Sequence, residues 1–370
     1  IVLGAGGMGS ATLCQLARRG VKGCGIEQFG PGHDRGSSHG ESRIIRKAYF
    51  EHPDYVPLLN RSFDLWDVIS QETRQELQVW NGLIVAGKPG SATIKGLESC
   101  YRKYELPHER WTTSETCKHF PQFEFSLDYD VFYDPFGGYL KVEQCVQANI
   151  ELARKHGADI FFNEKILSWQ ANDSSVLVKT DRRELHAGAL IITPGAWATS
   201  LLASIAIEVE IWRKVLVWYQ SPDLDIFTPD IFPTYYVEMD YGGFYGFPVI
   251  SEKGFKAAEH LHANIISEPD KVERALLLED EKPLLSFLAD VFPSITEPTR
   301  TAHQVCMYTK SPDDHFILGC HPEHKNVVIG AGFSGHGFKF APVIGEILAD
   351  LALNGETEHP IEFLKLDRFI

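Results

Sequence analysis

Six residues near the start of the chain, Gly4-Ala5-Gly6-Gly7-Met8-Gly9, constrain most strongly what this sequence can fold into. They follow an apolar, β-branched triplet, Ile1-Val2-Leu3. They precede a run in which Ala11, Leu13, Cys14, Leu16 and Ala17 recur at helical spacing. Arg18-Arg19-Gly20 gives that run a basic, glycine-stopped end. Val21 to Glu27 then reads as a second strand that finishes on an acid. Strand, tight turn, helix and strand make a βαβ opening. Gly4, Gly6 and Gly9 would serve the turn, the close approach of backbone to a pyrophosphate, and close helix–strand packing. The helix start offers unpaired N–H groups and the positive end of its dipole. A carboxylate at Glu27 can accept from both hydroxyls of a ribose and would repel a 2′-phosphate. The pattern predicts a dinucleotide site and leaves NAD and FAD both open.

A chain of 370 residues has room for two domains. With 44% apolar and 23% charged residues it reads as globular rather than disordered. A net charge of −15 repels phosphate backbones, so no nucleic-acid partner is expected. A few local cations could still build a pocket for a small anion. No apolar run approaches the ~18 residues that span a bilayer, so no membrane segment is expected. The seven cysteines are irregularly spaced with no CxxC pair, which favours a reducing compartment over a disulfide scaffold. Cys320-His321-Pro322-Glu323-His324 and His260-Leu261-His262 lack a second half at zinc-like spacing, so no metal is expected. The first residue already lies in a strand pattern without an initiator methionine. The termini are therefore expected to be incomplete, and no targeting signal is readable.

Further along, Pro53 to Gln71 and Leu140 to His156 read as amphipathic helices, the latter followed by a strand at Asp159 to Asn163. Ser175 to Thr180 and Ala189 to Thr193 read as strands. Ile211 to Gln220, Thr234 to Glu238 and Gly243 to Phe247, rich in aromatic and β-branched residues, suggest a separate antiparallel sheet, with a helix at Leu276 to Ala289. The chain then returns to a strand at Val327 to Ile329, a glycine-rich stretch and a helix at Phe338 to Leu353. This order predicts an α/β fold: a discontinuous Rossmann-like domain (1–77, 138–208 and 313–370) with an inserted antiparallel-sheet substrate domain (78–137 and 209–312).

Three segments carry more chemistry. The first is Ser37-Ser38-His39-Gly40-Glu41-Ser42-Arg43-Ile44-Ile45-Arg46-Lys47-Ala48-Tyr49. The second is Cys306-Met307-Tyr308-Thr309 with Asp313 to Ile317. The third is Gly330-Ala331-Gly332-Phe333-Ser334-Gly335-His336-Gly337-Phe338-Lys339. From residue types alone, Cys306 reads as an inert buried side chain. Arg43 and Arg46 read either as ion pairs with Glu41 and Glu51 or as a bidentate carboxylate pocket. Lys256 reads as an exposed charge, and Tyr236, Tyr245, His260 and Tyr308 as aromatic core. Together, however, the segments closely resemble the monomeric sarcosine oxidases and, closer still, the peroxisomal sarcosine/L-pipecolate oxidases. These are FAD-dependent amine oxidases of the D-amino-acid-oxidase-like superfamily. The likeness runs from the first residues to about Leu353.

That resemblance implies an FAD-binding domain in which Gly4, Gly6, Gly9, Glu27, Ser38, His39, Arg43, Gly332, Gly335, His336, Gly337 and Lys339 surround the cofactor. It implies a thioether from Cys306 to the flavin 8α carbon. Arg46 and Lys339 would hold a substrate carboxylate, with Arg43 nearer the flavin. Lys256 would sit over the ring and promote reaction with O2, where a fixed cation stabilises superoxide as it forms. Tyr245, His260 and Tyr308 would line the substrate cavity. Tyr236 falls where the bacterial enzymes tend to carry methionine, which changes the pocket. The implied activity is oxidation of a secondary α-amino acid (sarcosine, L-pipecolate or L-proline) to an imine, with O2 reduced to H2O2, by a monomer in the cytoplasm or peroxisome. The alternatives are a bulkier substrate, such as N-methyltryptophan or a glycated amino acid, and a dehydrogenase using another electron acceptor.

Overall fold

A computed structural model of the chain describes residues 1–125, 128–262 and 264–370. Among these residues the strands form two large sheets and two three-stranded ones. The first large sheet has six strands, in the order Ile317–Cys320, Val327–Ala331, Leu190–Ile192, Val2–Leu3, Cys24–Ile26 and Asp159–Phe161. All pairs are parallel except the first, which is antiparallel. These strands are short, apolar and buried, as strands covered on both faces are. Helices Gly7–Arg18, Val142–Lys155 and Ala341–Asn354 share one hydrophobic cluster with Val2, Ile191 and Val328. Val176 and Val178 of a three-stranded antiparallel sheet (Ile166–Ala171, Val176–Thr180, Glu184–Ala187) pack in another cluster with Leu3, Ile26, Leu190, Ile192 and Val327.

The second large sheet has nine strands drawn from residues 83–134 and 210–310. Its centre is Glu210–Gln220. This strand pairs along its length with Thr299–Lys310, and on its other edge with Asn264–Ile266 and then Phe255–Glu259. Gly242–Phe247, Thr234–Met239, Leu83–Gly87, Asp130–Asp134 and Glu109–Trp111 follow in order. The antiparallel expectation needs one correction: Thr234–Val237 runs parallel to Leu83–Ala86. No hairpin joins these two strands. Leu83–Gly87 enters from a distant segment, so no tight turn imposes an antiparallel sense. Under this sheet Phe227, Phe232, Phe244, Phe255, Phe287 and Phe292 form an aromatic core with helix Leu278–Val291.

The expected helix from Leu140 begins at Val142 instead. The reason is local: Gly138–Lys141 is a strand that pairs antiparallel with Ser42–Ile45 and with Gln78–Val79. The expected helix from Pro53 is a 3-10 turn, Pro53–Tyr55, leading into Val56–Thr73. The expected strand Val21–Glu27 is confined to Cys24–Ile26. The sequence reading assigns nothing to Leu83–Gly87, Ala92–Tyr104, Thr113–His119 or Thr299–Lys310, all of which are regular elements.

Candidate active site

Strand Val2–Leu3 ends on Gly4, whose φ of +84° lies in the left-handed region. A Cβ there would strike the Thr193 carbonyl oxygen, and a Cβ on Gly9 would overlap the Gly4 carbonyl. Only glycine allows this crossing of turn and helix. At Gly6 an added Cβ would meet nothing but Ser38 Oγ, at 3.8 Å, so the backbone stays open to a ligand. Helix Gly7–Arg18 has no side-chain cap and no acid in its first turn, which leaves a bare positive dipole end. Ser38 Oγ accepts from the Gly7 N–H at 3.1 Å and ties the segment of Ser37 to Tyr49 to this turn. Glu27 is buried; its carboxylate accepts from the Ala5 N–H at 2.9 Å and the Phe29 N–H at 3.0 Å.

These groups line one end of a long cavity enclosing about 1030 Å³ of empty space, its open mouth included. The other end is walled by Arg43, Cys306, Met307, Tyr308, Gly332, Gly335, Gly337 and Phe338. Cys306 and Tyr308 share one face of strand Thr299–Lys310, being two residues apart. Cys306 is 1% exposed, and Arg43 Nη2 donates to its Sγ at 3.5 Å. A cavity lined by an uncapped helix start, by a buried acid just past the second strand and by Arg43 has residues and charges that fit FAD. Sequence reasoning missed His33 and Trp197, which also line this cavity. Their segments carry no pattern that would mark them.

A second cavity, of about 610 Å³ counted in the same way, shares Arg43, Tyr308, Gly335 and Phe338 with the first. It brings together Arg46, Tyr236, Tyr245, His260, His336 and Lys339, from segments far apart in sequence. His260 Nδ1 lies 3.3 Å from Tyr308 Oη. Burial, then the charge of Lys214, pulls the His260 imidazole down to about 3, so it is neutral. Burial likewise pushes the hydroxyls of Tyr245 and Tyr308 up, so both stay protonated. Lys339 Nζ donates to the His336 carbonyl at 2.9 Å, and among the described residues it has no carboxylate at ion-pair distance. Burial and then the nearby Arg46 lower its ammonium to about 7. Arg46 Nη2 meets both oxygens of Glu51 at 2.8 Å, and its Nη1 donates to the Ala48 carbonyl at 2.8 Å. Glu51 lines the cavity as well. The sequence offers it only as one of two ion-pair partners for the arginines.

Three expected site residues stand outside both linings. Gly9 is buried in the helix, where it serves packing. His39 is set back, its ring nitrogens each 3.1 Å from an oxygen, of Gln304 and of Gly36. Lys256 is fully buried behind Arg43, not exposed; its Nζ donates to Gly40 O at 2.5 Å, Ser42 O at 3.1 Å and Ser42 Oγ at 3.0 Å. Among the described residues no group of three or more His, Cys, Asp and Glu side chains is placed to hold a metal. None of the helices there is long and apolar enough to cross a membrane.

Residues 1–351 match the family model described as DAO: FAD dependent oxidoreductase. The chain belongs to this family of FAD-dependent oxidoreductases. A monomeric sarcosine oxidase of Streptomyces avermitilis is 38% identical, over 98% of this chain and 95% of that protein. A monomeric sarcosine oxidase of a Bacillus species is 36% identical over 100% and 96%. An N-methyl-L-tryptophan oxidase of Salmonella dublin is 31% identical over 100% and 98%. The fold is that of L-proline dehydrogenase from P. horikoshii, with a TM-score of 0.86 at 23% identity, covering 100% of this chain and 96% of that one. Like other members of the DAO family, this protein is a flavin-dependent oxidoreductase. Gly4, Gly6, Gly7 and Glu27 all line the first of the two cavities.

Proposed function

We propose that this enzyme oxidises secondary α-amino acids of the sarcosine, L-pipecolate or L-proline type at the C–N bond, giving an imine and, from O2, hydrogen peroxide. One observation carries the reading. A buried ammonium without a carboxylate, Lys339, stands beside Arg46 in a cavity that shares a wall with the cofactor cavity. Arg46 is already offset by Glu51, so the pair retains one positive charge for an incoming carboxylate. That contact anchors the substrate and sets the amine and α-carbon towards the shared wall of Arg43 and Tyr308. The neutral His260 and the protonated Tyr245 and Tyr308 place no imidazolium beside the amine, which suits the neutral form that can yield electrons. FAD, when bound, supplies the two-electron acceptor, and the protein supplies position and charge. Water outside the site hydrolyses the released imine.

The names of the similar proteins, oxidases of sarcosine and of N-methyl-L-tryptophan, point to N-substituted amino acids. Between these, pocket size favours the smaller. Tyr236 is buried and its ring lies 5.2 Å from that of Phe50, narrowing the cavity that Leu83 and Val85 also line. The proposal includes a thioether from Cys306 to the flavin 8α carbon, supported by a sulfur buried in the cavity wall beside Arg43. It also includes a monomeric enzyme. Of the two compartments expected, the cytoplasm is the one that fits relatives from bacteria.

Anaerobic mixing with sarcosine, L-proline, L-pipecolate, N-methyl-L-tryptophan and a primary amino acid tests this reading. The first three should bleach the oxidised flavin fastest, and readmitted oxygen should yield one peroxide per turnover. Bleaching by none of the secondary amino acids ends the proposal. Bleaching without peroxide would make the protein a dehydrogenase instead.

A further inference from the structure

Tyr49 is fully buried and lines neither cavity, yet its ring lies beside both cations of the proposed carboxylate site. Its ring lies 4.5 Å from Arg46 Cζ and 5.1 Å from Lys339 Nζ. Phe50 covers Arg46 as well, at 3.9 Å. Aromatic faces are electron-rich, and with the carbonyls that accept from each they let two cations lie close together without a second resident anion.

The hydroxyl does something separate. Tyr49 Oη is 2.6 Å from His336 Nδ1 and 3.1 Å from the His336 carbonyl. His336 Nε2 is 3.0 Å from the carbonyl oxygen of Asp314. A carbonyl only accepts, so Nε2 carries the hydrogen. Burial, then Lys339, keeps this imidazole neutral, so Nδ1 has a lone pair and accepts the Tyr49 proton. The His336 carbonyl, 3.1 Å from the same hydroxyl, accepts from Lys339 Nζ at 2.9 Å, so the hydroxyl holds the residue whose oxygen orients the ammonium.

We propose that Tyr49 is a positioning residue for carboxylate recognition: its ring supports Arg46 and Lys339 together, and its hydroxyl, by engaging both Nδ1 and the carbonyl of His336, fixes the carbonyl that aims Lys339. The inference rests on Arg46 and Lys339 being the carboxylate ligands. It goes further in naming what lets both charges share one site.

The test uses the flavin-loaded enzyme and two isosteric probes, acetate and acetamide, with binding read from the flavin absorbance. Tyr49→Phe keeps the ring and removes the hydroxyl. Acetate should bind about tenfold more weakly, while acetamide binding is unchanged. Tyr49→Leu, which removes the ring too, should weaken acetate further. His336→Leu removes the acceptor at the other end of that bond and should reproduce the loss of acetate selectivity if the tyrosine variants fold poorly. Unchanged acetate binding in Tyr49→Phe, or equal weakening of acetate and acetamide, overturns the proposal. If Arg46→Ala and Lys339→Ala also leave acetate binding unchanged, the carboxylate reading itself falls; if they abolish it while Tyr49→Phe does not, only the role of Tyr49 falls.

Discussion

Cys306 and Lys339 show how a residue's surroundings turn a common side chain into a specific one. Cys306 is one of seven cysteines, and nothing in its spacing marks it. Its sulfur faces the cofactor cavity only because strand Thr299–Lys310 presents positions 306 and 308 on one face. Acid denaturation tests the thioether. The parent protein should carry its flavin into the pellet, whereas Cys306→Ala should leave it in solution; free flavin from both would remove the bond. Lys339 supplies a pH dependence. Burial and Arg46 lower its ammonium to about 7, so it is charged below that pH and neutral above it. Carboxylate binding draws on the charge. Acetate affinity should therefore be greatest below pH about 7 and fall as the pH rises through that value, by up to about tenfold per unit. Lys339→Met should flatten the profile, and a parent profile that is already flat would contradict this assignment. Glu51 and Tyr49 are the residues whose roles the sequence does not show. Each is a single side chain in a loop, and its meaning comes from Arg46 and Lys339 lying beside it in space.

At the scale of elements, Lys256 joins two pieces of structure. Strand Phe255–Glu259 supplies the ammonium, and the turn from Gly40 to Ser42 supplies the oxygens that hold it. The amine is thus fixed against that turn, outside both cavity linings, and burial, then the charge of Arg43, lowers its pKa well below the ordinary lysine value. Lys256→Met should slow reoxidation of the reduced flavin by O2 about a hundredfold, with a much smaller effect on reduction by substrate. Stopped-flow measurement of each half-reaction decides, and equal slowing of both would assign the lysine another role. Among the elements, the opening strand–turn–helix was legible because its glycines and its helical period fall in one short window. Thr299–Lys310 was not. Its run, Thr-Arg-Thr-Ala-His-Gln-Val-Cys-Met-Tyr-Thr-Lys, starts polar and exposed and is buried only near its end, so neither strict alternation nor a continuous apolar stretch marks it. Helix Val142–Lys155 was legible in type but not in start, because Leu140 and Lys141 belong to a strand whose partner, Ser42–Ile45, is far away in sequence.

For the molecule as a whole, the chain crosses repeatedly between a parallel sheet and a larger, mostly antiparallel one, and the chemistry lies where they meet. The α/β class and the return to a closing strand and helix were readable from periodicity. The parallel joint between Leu83–Ala86 and Thr234–Val237 was not, since pairing sense across a long sequence gap leaves no local trace. The site was legible as three segments resembling a known family, but the layering within it was not: His39 and Lys256 lie one shell back from the cavities. The short ribbon from Gly40 to Arg46 holds the Lys256 amine, contributes Arg43 to the wall shared by the two cavities and presents Arg46, the carboxylate ligand proposed above. Sliding that ribbon against Gly138–Lys141 would misplace all three functions at once. Leu83, Val85 and Tyr236 come from strands that carry none of these cations. An engineer widening the enzyme for larger amines therefore has a panel to carve there, starting with Leu83 and Val85, since Tyr236 rests on the Phe50 ring that covers Arg46.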